Sequence, residues 1–512
     1  MKSRKTAPKS TFRLDTRRYS LDELVATTEA QLPLSLAPKS RARIQRCARF
    51  VQKLAVSDQH VYGVNSGFGS LCETRIKPEE VGALQLRHVL SHAAGVGPVV
   101  SERTSRFVML VKLLTFRTGH TGITAETVER LMELWNRGII PAIPKKGTVG
   151  ASGDLSPLAH LALPLLGFGQ VYYRGELREA AEVMAKEKLP PLELKAKEGL
   201  ALTNGVQYIN GIAVDAVSRF RELVGAAEVI ASLSIQAFSA AQTFYDPLYH
   251  STTEHPTRHQ VSRHLSSILG GSNHWQLPTA NRSKQDPYSF RCMPQVHGAI
   301  RQVLGFASNT IEDEVNGVSD NPLFFPEEGR VLFGGNLHGE STAFALDFLA
   351  IGATELANIA ERRTYQLLSG CRGLPSFLTA MPGLDSGLMI PQYTSAALVN
   401  ECKVLSTPAS VDTIMTCQLQ EDHVSMGGTS AYKAQEILDN VEIVLAIELL
   451  TAAQAIDLAQ GLVLSKKTLA IHRAFRREVP MLREDRIQSV DIERARAFLN
   501  THRRSWAHEA EV

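Results

Sequence analysis

Long segments with apolar residues at helical spacing constrain the fold of this chain more than any other feature. Several exceed the ~10–14 residues of an average helix. They also carry small residues, as in residues 343–350, which let helices pack closely. They predict a mainly α fold with a long central helical bundle. The segments are residues 208–242, 293–315, 339–368, 392–404 and 429–460.

The N-terminal part of the chain has shorter elements and predicts a mixed lobe. Helical periodicity covers residues 20–31, 40–57, 79–93, 102–118, 125–137 and 154–166, and residues 170–175 predict a hairpin. We therefore expect an N-terminal lobe over residues 1–205 and a long-helix bundle with C-terminal helices over residues 206–512. Residues 186–199 are expected to form an exposed connection, and residues 244–289 a polar loop.

Composition indicates a globular protein without a polyanionic partner. The 512 residues are 44% hydrophobic and 21% charged, with a net charge of +3. So small a charge argues against nucleic acid. The most apolar stretch, residues 441–464, contains Glu442, Glu448 and Asp457, which favours a buried helix over a membrane span. The six cysteines show no C-x-x-C spacing and the basic N-terminus has no apolar stretch behind it, so we expect a cytoplasmic protein.

The sequence Ala151-Ser152-Gly153 can form an electrophile from its own backbone. Attack of the Gly153 nitrogen on the Ala151 carbonyl carbon closes a five-membered ring. Loss of water there, and loss of the Ser152 hydroxyl as water, leaves a methylene conjugated to an imidazolone. Gly153 suits the strained closure because it lacks a Cβ.

Other interpretations of this glycine-rich stretch are weaker or compatible with ring formation. Asp154 is a good N-cap residue, so the stretch is also typical of a turn before a helix. A nucleophile elbow needs G-x-S-x-G, but Asp154 stands at the last position. The Gly-Lys-Ser/Thr of a phosphate loop is absent, and residues 61–69 do not fit a dinucleotide fingerprint.

Residues 147–160 resemble the signature of the histidine and phenylalanine ammonia-lyase family. The resemblance extends through further motifs in family order, from about residue 60 to 430. They are the tyrosine loop (62–69), the selectivity segment (91–95), the asparagine segment (199–205), the carboxylate-binding segment (285–292), and the segments 319–322, 334–339 and 420–426.

The resemblance implies a prosthetic group, a set of site residues and an assembly. The group is 4-methylideneimidazol-5-one, formed autocatalytically from Ala151-Ser152-Gly153 with no external cofactor and no metal. The partner is a small amino-acid substrate, and the assembly is a homotetramer. Tyr62 would remove a β-proton, and Arg291 would bind the substrate carboxylate through a bidentate fork. Asn204 and Tyr288 would bond the ring or the amine, with Glu421 as a further catalytic residue and His92, Gln285 and Leu337 as substrate-binding residues.

Substrate identity stays open between related reactions. His92 and Glu421 match positions where histidine-specific members carry His and Glu, which favours conversion of L-histidine to trans-urocanate. Arg87, His88, Leu337 and Leu419 depart from the family pattern. Leu337 and Leu419 favour a more apolar ring, so tyrosine or phenylalanine lyases and aminomutases remain alternatives. Joint retention of the site residues disfavours an inactive helical assembly protein.

Four histidines in the expected loop raise the alternative of a metal site. They are His250, His255, His259 and His264. Pro256 interrupts a common helix face, and no Cys or Asp partner stands at ligand spacing. We therefore expect a solvated or interfacial loop.

Overall fold

The structure of the protein is a computed structural model that describes residues 11–278 and 285–511. Helices dominate it, which confirms the predicted mainly α fold. In the described residues they are α1 (Leu21–Glu29), α2 (Pro38–Ala55), α3 (Val81–His92), α4 (Glu102–Phe116), α5 (Ala125–Asn136), α6 (Leu155–Ala162), α7 (Ala180–Lys186), α8 (Glu198–Thr203), α9 (Gln207–Ala237), α10 (Pro247–His250), α11 (Pro256–Leu269), α12 (Tyr288–Arg291), α13 (Met293–Asn316), α14 (Glu340–Leu368), α15 (Met389–Leu405), α16 (Gly427–Leu458), α17 (Lys466–Glu478) and α18 (Gln488–Glu511).

The predicted bundle helices correspond to α9, α13, α14, α15 and α16, with ends that differ by a few residues. The largest difference is in α9, which ends at Ala237 rather than at residue 242. Ser239 adopts a left-handed φ of 55°. The backbone N–H groups of Ser239 and Ala240 then return to the carbonyls of Gln236 and Ile235 and close the helix end.

Short strands pair in small sheets. They are β1 (Phe12–Leu14), β2 (Leu34–Leu36), β3 (Val96–Val99), β4 (Ile139–Pro141), β5 (Pro144–Lys146), β6 (Gln170–Tyr173), β7 (Glu176–Glu179), β8 (Leu323–Phe325) and β9 (Arg330–Leu332). β1 pairs with β2 in parallel, and the antiparallel pairs are β3–β5, β4–β6, β6–β7 and β8–β9. The predicted hairpin at 170–175 is β6–β7. Its turn residues Arg174 and Gly175 both have positive φ, as a type I′ hairpin turn requires.

The chain divides into two compact units that are discontinuous in sequence. The first comprises residues 1–218, 308–347 and 408–432, and the second comprises 219–307, 348–407 and 433–512. All of these boundaries except the one at 407/408 fall inside a long helix. The expected boundary at 205/206 remains a prediction of sequence organisation.

Three helices of the first unit bring the conspicuous motifs together. α3, α6 and α8 pack against one another. α3 ends at His92, α6 begins directly after residues 151–154, and α8 is capped by Asn204. The selectivity segment, the Ala-Ser-Gly loop and the asparagine segment therefore meet at neighbouring helix ends.

The expectation of an exposed connection over residues 186–199 is wrong for its C-terminal end. Leu194, Ala196 and Lys197 are all buried. The ammonium group of Lys197 donates to both carboxylate oxygens of Asp320 over 3.0 and 2.8 Å, and both side chains are almost fully buried. The charge that indicated solvent exposure is thus compensated by a residue far away in sequence.

The expectation of a loop over residues 244–289 is also wrong in part, because α10 and α11 lie there in the second unit. Pro256 begins α11 rather than interrupting it, since a first-turn proline sacrifices no helical hydrogen bond. His250 and His264 are buried and bonded to the Phe244 carbonyl and the Glu228 carboxylate, respectively. Neither is solvated, which corrects the expectation for these two residues.

Among the described residues, α14 alone is long and apolar enough to pass a test for a membrane span by length and composition. However, 72% of its most apolar window is buried within the fold. This burial is what a core helix of a folded domain shows.

Candidate active site

The loop that carries Ala151, Ser152 and Gly153 is pinned against the asparagine segment. The Asp154 N–H donates to the Gly205 carbonyl over 2.7 Å, and the Gly205 N–H donates to the Ser152 carbonyl over 3.3 Å. Gly153 has a φ of 79°, and a Cβ at this position would overlap the Gly205 carbonyl. Only glycine fits this close approach of two backbones. The contact between Gly153 and Gly205 therefore agrees with the glycine that ring formation requires at position 153.

Asp154 occupies the N-cap position of α6, as expected, but its side chain makes no capping hydrogen bond. Its buried carboxylate instead accepts hydrogen bonds from the Ile209 N–H and the Thr148 hydroxyl. Burial raises its pKa to about 7. Asp154 thus begins α6 through its backbone and joins the Ala-Ser-Gly loop to α9 through its side chain.

A cavity of about 1090 Å³ opens beside this loop in the first unit. Its wall brings together most of the site residues expected from sequence. Those that line it are Tyr62, His92, Ala151, Ser152, Asn204, Leu337 and Glu421. Gly153 is buried and does not line the cavity. Arg87 and His88 line the cavity too, whereas Leu419 is 65% exposed and does not line it.

Tyr62 lies on the tyrosine loop with its ring partly buried. Its hydroxyl oxygen accepts a hydrogen bond from the Gly69 N–H over 3.2 Å. Burial raises the pKa of Tyr62, and the Gly69 bond opposes that effect only in part. Arg87 is the only Lys or Arg among the described residues of the cavity wall. The wall supplied by this chain therefore does little to stabilise a phenolate.

His92 is oriented by the helix on which it lies. Its Nδ1 is 2.7 Å from the His88 carbonyl and therefore donates to it, which leaves Nε2 as an acceptor. Burial lowers the pKa of His92, while the His88 bond and the charge of Glu421 oppose the shift. A neutral imidazole thus presents a lone pair.

His88 supports His92 from the previous helical turn. The two rings are 3.9 Å apart between centroids, and the His88 ring also contacts that of Phe68 at 4.0 Å. His88 Nε2 lies 2.8 Å from the Thr203 hydroxyl, and burial lowers the pKa of His88 to about 2. Its i, i+4 spacing from His92 was visible in the sequence, but its role as a support depends on this packing.

Asn204 is fixed by its neighbours. Its side-chain amide donates to the Asn321 carbonyl over 2.9 Å, and its side-chain oxygen accepts from the Gly205 N–H over 3.0 Å. The buried ammonium group of Lys112 donates to the Asn204 backbone carbonyl over 2.7 Å. Burial lowers the pKa of Lys112 to about 7. Nothing in the spacing of Lys112 indicated this contact.

Glu421 lies directly against the ring loop. Its Oε1 accepts a hydrogen bond from the Ser152 hydroxyl over 2.6 Å, and its Oε2 accepts one from the Thr416 hydroxyl over 2.7 Å. Among the described residues, neither Arg87 nor any other cationic side chain forms an ion pair with Glu421. Thr416 is a positioning residue that the sequence motifs did not indicate.

Three expected site residues lie in the second unit and do not line this cavity: Gln285, Tyr288 and Arg291. They form a group of their own. The Arg291 guanidinium donates to the Gln285 side-chain oxygen and lies 5.7 Å from the Tyr288 ring centroid. Tyr288 is 71% exposed.

A possible metal-ligand group occurs in the described residues, although none is expected from sequence. His338, Glu340 and His423 place one ligand atom each within 4.8 Å of one another. His338 and His423 are also stacked, and their facing nitrogens are 3.2 Å apart. The absence of a metal remains a prediction.

Comparisons with known proteins match the fold and the signature. Residues 19–477 match the profile of a family described as aromatic amino acid lyase. The histidine ammonia-lyase of Symbiobacterium thermophilum is 42% identical over 475 residues, which cover 93% of this chain and 94% of that protein. The histidine ammonia-lyase of Treponema denticola is 41% identical, with 93% and 94% covered.

Solved structures agree with these matches. The crystal structure of histidine ammonia-lyase from Trypanosoma cruzi superposes with a TM-score of 0.89 at 37% identity and covers 98% of this chain and 95% of that one. The tyrosine aminomutase of Streptomyces globisporus superposes with a TM-score of 0.92 at 33% identity, with 98% and 99% covered.

Proposed function

This chain belongs to the aromatic amino acid lyase family, and we propose that it releases ammonia from L-histidine to give trans-urocanate. It is a carbon–nitrogen lyase. The observation that carries the choice of histidine is the pairing of His92 and Glu421 in one cavity wall. A substrate imidazole carries an N–H donor, and the Glu421 carboxylate and the Nε2 lone pair of His92 are both acceptors for it.

Energetics favour a polar ring beside Glu421. A buried charged carboxylate without a partner costs several kcal/mol. A substrate imidazole donates an N–H to such a carboxylate, whereas a phenyl ring offers it nothing. Of the two leucines that depart from the family pattern, Leu337 lines the same cavity. Leu419 is exposed and does not line it, so it does not make the cavity wall more apolar.

Tyrosine is the second candidate substrate. The Nε2 lone pair of His92 would accept a phenol hydroxyl as readily as an imidazole N–H. The structural likeness to a tyrosine aminomutase also keeps an aminomutase reaction as an alternative.

The prosthetic group that we propose is a 4-methylideneimidazol-5-one made from Ala151, Ser152 and Gly153, without an external cofactor. The backbone contact between Gly153 and Gly205 supports it, because it holds the loop where only glycine fits. Once formed, the group supplies an electrophilic carbon that activates the substrate for loss of ammonia. Asn204, fixed through Asn321 and Lys112, would bond the amine or the ring.

Tyr62 is proposed to take the β-proton of the substrate at its hydroxyl oxygen. A neutral tyrosine is a poor base, and burial raises the pKa of Tyr62 further. A positive charge near this oxygen would restore its basicity. Among the described residues of its own chain, only Arg87 offers a fixed positive charge in the cavity wall.

We propose that neighbouring subunits of a homotetramer complete each site. Gln285 and Arg291, expected to bind the substrate carboxylate, and Tyr288, expected to bond the ring or the amine, do not line the cavity of their own chain. In addition, α15 buries only Pro391, Ser395 and Cys402, and Ile390 and Tyr393 are more than half exposed, which supports a face covered by another subunit. Mixing inactive Tyr62→Phe and Arg291→Ala chains should restore part of the activity, whereas mixed chains that stay inactive despite exchanging subunits would contradict the shared site.

The cytoplasm is the proposed compartment. All six cysteines are unpaired, which suits a reducing environment.

Steady-state kinetics with L-histidine, L-tyrosine and L-phenylalanine test the proposed substrate. We expect kcat/KM to be highest for histidine. Glu421→Gln, corrected for the fraction of processed sites, should lower that value by about 10- to 100-fold, as loss of a charged hydrogen bond predicts. Asp422→Asn removes the same charge from the adjacent exposed residue and should cost much less. Faster turnover of tyrosine than of histidine would contradict the proposed substrate and identify tyrosine instead.

A further inference from the structure

Formation of the ring requires a proton at the Ser152 hydroxyl. Two waters leave as Ala151, Ser152 and Gly153 react. The first takes the Ala151 oxygen with the hydrogens of the Gly153 and Ser152 nitrogens, and the second takes the Ser152 Oγ. Hydroxide is a poor leaving group, so breaking the Cβ–O bond needs an acid that protonates Oγ as it departs.

Glu421 is positioned to be that acid. Its Oε1 is 2.6 Å from the Ser152 Oγ, within the range of short hydroxyl–carboxyl hydrogen bonds. Both residues belong to the first unit and both face the cavity. The leaving oxygen and an ionisable carboxyl are therefore in contact before the reaction begins.

The carboxyl group is held in place by its own loop. The Thr416 hydroxyl donates to Oε2 over 2.7 Å, and the Thr416 N–H donates to the Glu421 carbonyl over 3.0 Å. Cys417, Gln418 and Leu419, which lie between them, all have positive φ. Residues other than glycine in this conformation persist when the surrounding structure enforces it, a pattern common at functional sites.

We propose that Glu421 acts in the formation of the prosthetic group before it binds the substrate: it gives a proton to the Ser152 Oγ as the Cβ–O bond breaks. The electron pair of that bond leaves with the water. Glu421 enters the step as the carboxylate that accepts the Ser152 hydroxyl hydrogen bond. It takes the Cα proton of Ser152 and passes this proton to Oγ, while the electron pair of the Cα–H bond becomes the Cα=Cβ bond. The step consumes no oxidant, reductant or metal, and Glu421 returns to its starting protonation state.

The same contact sets an order of events. While the Ser152 hydroxyl is present, it occupies Oε1 of Glu421. Once it has left as water, this oxygen has lost its partner and faces the cavity. Glu421 then becomes available for the imidazole of the substrate, a consequence that rests on the proposed function. Before the ring forms, Glu421 is therefore bonded to Ser152 and is not available to the substrate.

Peptide mass spectrometry of purified variants tests this role without any turnover assay. The fraction of the Ser152 peptide that has lost two waters is followed in time for wild type, Glu421→Gln and Glu421→Asp. Gln keeps the size and an oxygen for Thr416 but has no acidic proton, whereas Asp keeps the carboxyl. His92→Ala, a change in the same wall without contact to Ser152, is the control, and circular dichroism against Ser152→Ala verifies folding.

We expect wild type and His92→Ala to be fully processed. Glu421→Gln should be processed at least about tenfold more slowly, since a general acid contributes ~10²–10⁴-fold. Glu421→Asp should fall nearer to wild type. Processing of Glu421→Gln at the wild-type rate would overturn the proposal, and so would equal slowing of the Asp and Gln variants, which would indicate loop placement alone. A fully processed protein that does not convert histidine would instead refute the proposed substrate.

Discussion

The buried pair of Lys197 and Asp320 provides a quantitative test of the first unit. Both side chains are almost fully buried, and the ammonium group contacts both carboxylate oxygens. Asp320→Asn keeps the shape but leaves the Lys197 charge uncompensated. Removal of one partner of such a pair costs about 3–5 kcal/mol. The alternative, deprotonating an ordinary lysine at pH 7, costs about 5 kcal/mol and sets a similar upper limit.

An exposed pair two residues away is the matched control. The Lys195 ammonium lies 3.4 Å from the Glu126 carboxylate, and the two side chains are 53% and 66% exposed. Glu126→Gln should cost less than about 1 kcal/mol, because solvent screens exposed ion pairs. Denaturant unfolding at matched protein concentration and pH 7 measures both losses.

The pH dependence of the loss follows from the direction of the Lys197 pKa. Burial lowers it, and the Asp320 charge opposes that shift, so the Asn variant lowers it further. Its unfolded chain then binds more protons than the folded chain up to the ordinary lysine value of about 10.4. The deficit of Asp320→Asn should therefore shrink as pH rises towards 10. Equal losses for the two variants, or a deficit that grows with pH, would refute this reasoning.

Other expectations follow from backbone strain and buried charge. Leu419→Asn should stabilise the protein by about 1 kcal/mol in thermal unfolding, because asparagine tolerates the φ of 72° at this exposed position better than leucine; an unchanged or lower midpoint would contradict it. Gly205→Ala should block ring formation as seen by peptide mass, since its Cβ would overlap the Ser319 carbonyl, whereas Gly175→Ala in an open turn should not. Burial alone would raise the pKa of Glu228, but Arg301 and His264 outweigh it and lower the pKa to about 2. Stability from Glu228 is thus present above pH ~4.5 and lost towards pH 2, and Glu228→Gln should flatten unfolding curves there; an identical acid profile would count against it.

Local patterns predicted the long helices well. α13 and α14 begin and end within one residue of the segments chosen by apolar spacing. Periodicity carries this information because each of these helices buries a broad apolar face. The ring loop was equally accessible, since its chemistry depends on three adjacent residues.

Contacts between distant residues were not accessible in this way. The sequence predicted a solvated Lys197, but the carboxylate of Asp320 lies against it. The sequence placed Asp154 at a helix N-terminus, but nothing in it indicated that the Asp154 carboxylate bonds to α9. The contact between Ser152 and Glu421 joins residues far apart in the chain. No spacing rule encodes such pairs, because tertiary packing alone brings them together.

Leu419 shows how a departure from a family pattern can be misinterpreted. It was expected to make the pocket more apolar, yet it is exposed and stands at a positive φ. Asparagine is common at such positions because its short polar side chain bonds locally. The departure therefore concerns backbone strain in the loop before Glu421, not the cavity wall.

The most direct measurement is the fate of L-histidine mixed with freshly purified protein to which no cofactor has been added. Proton NMR and an ammonia assay follow substrate and products together. We predict one trans-urocanate and one ammonia for each histidine consumed, with no reaction by Ser152→Ala. Unchanged histidine in the presence of fully processed protein, or formation of a β-amino acid without ammonia, would contradict the proposed reaction.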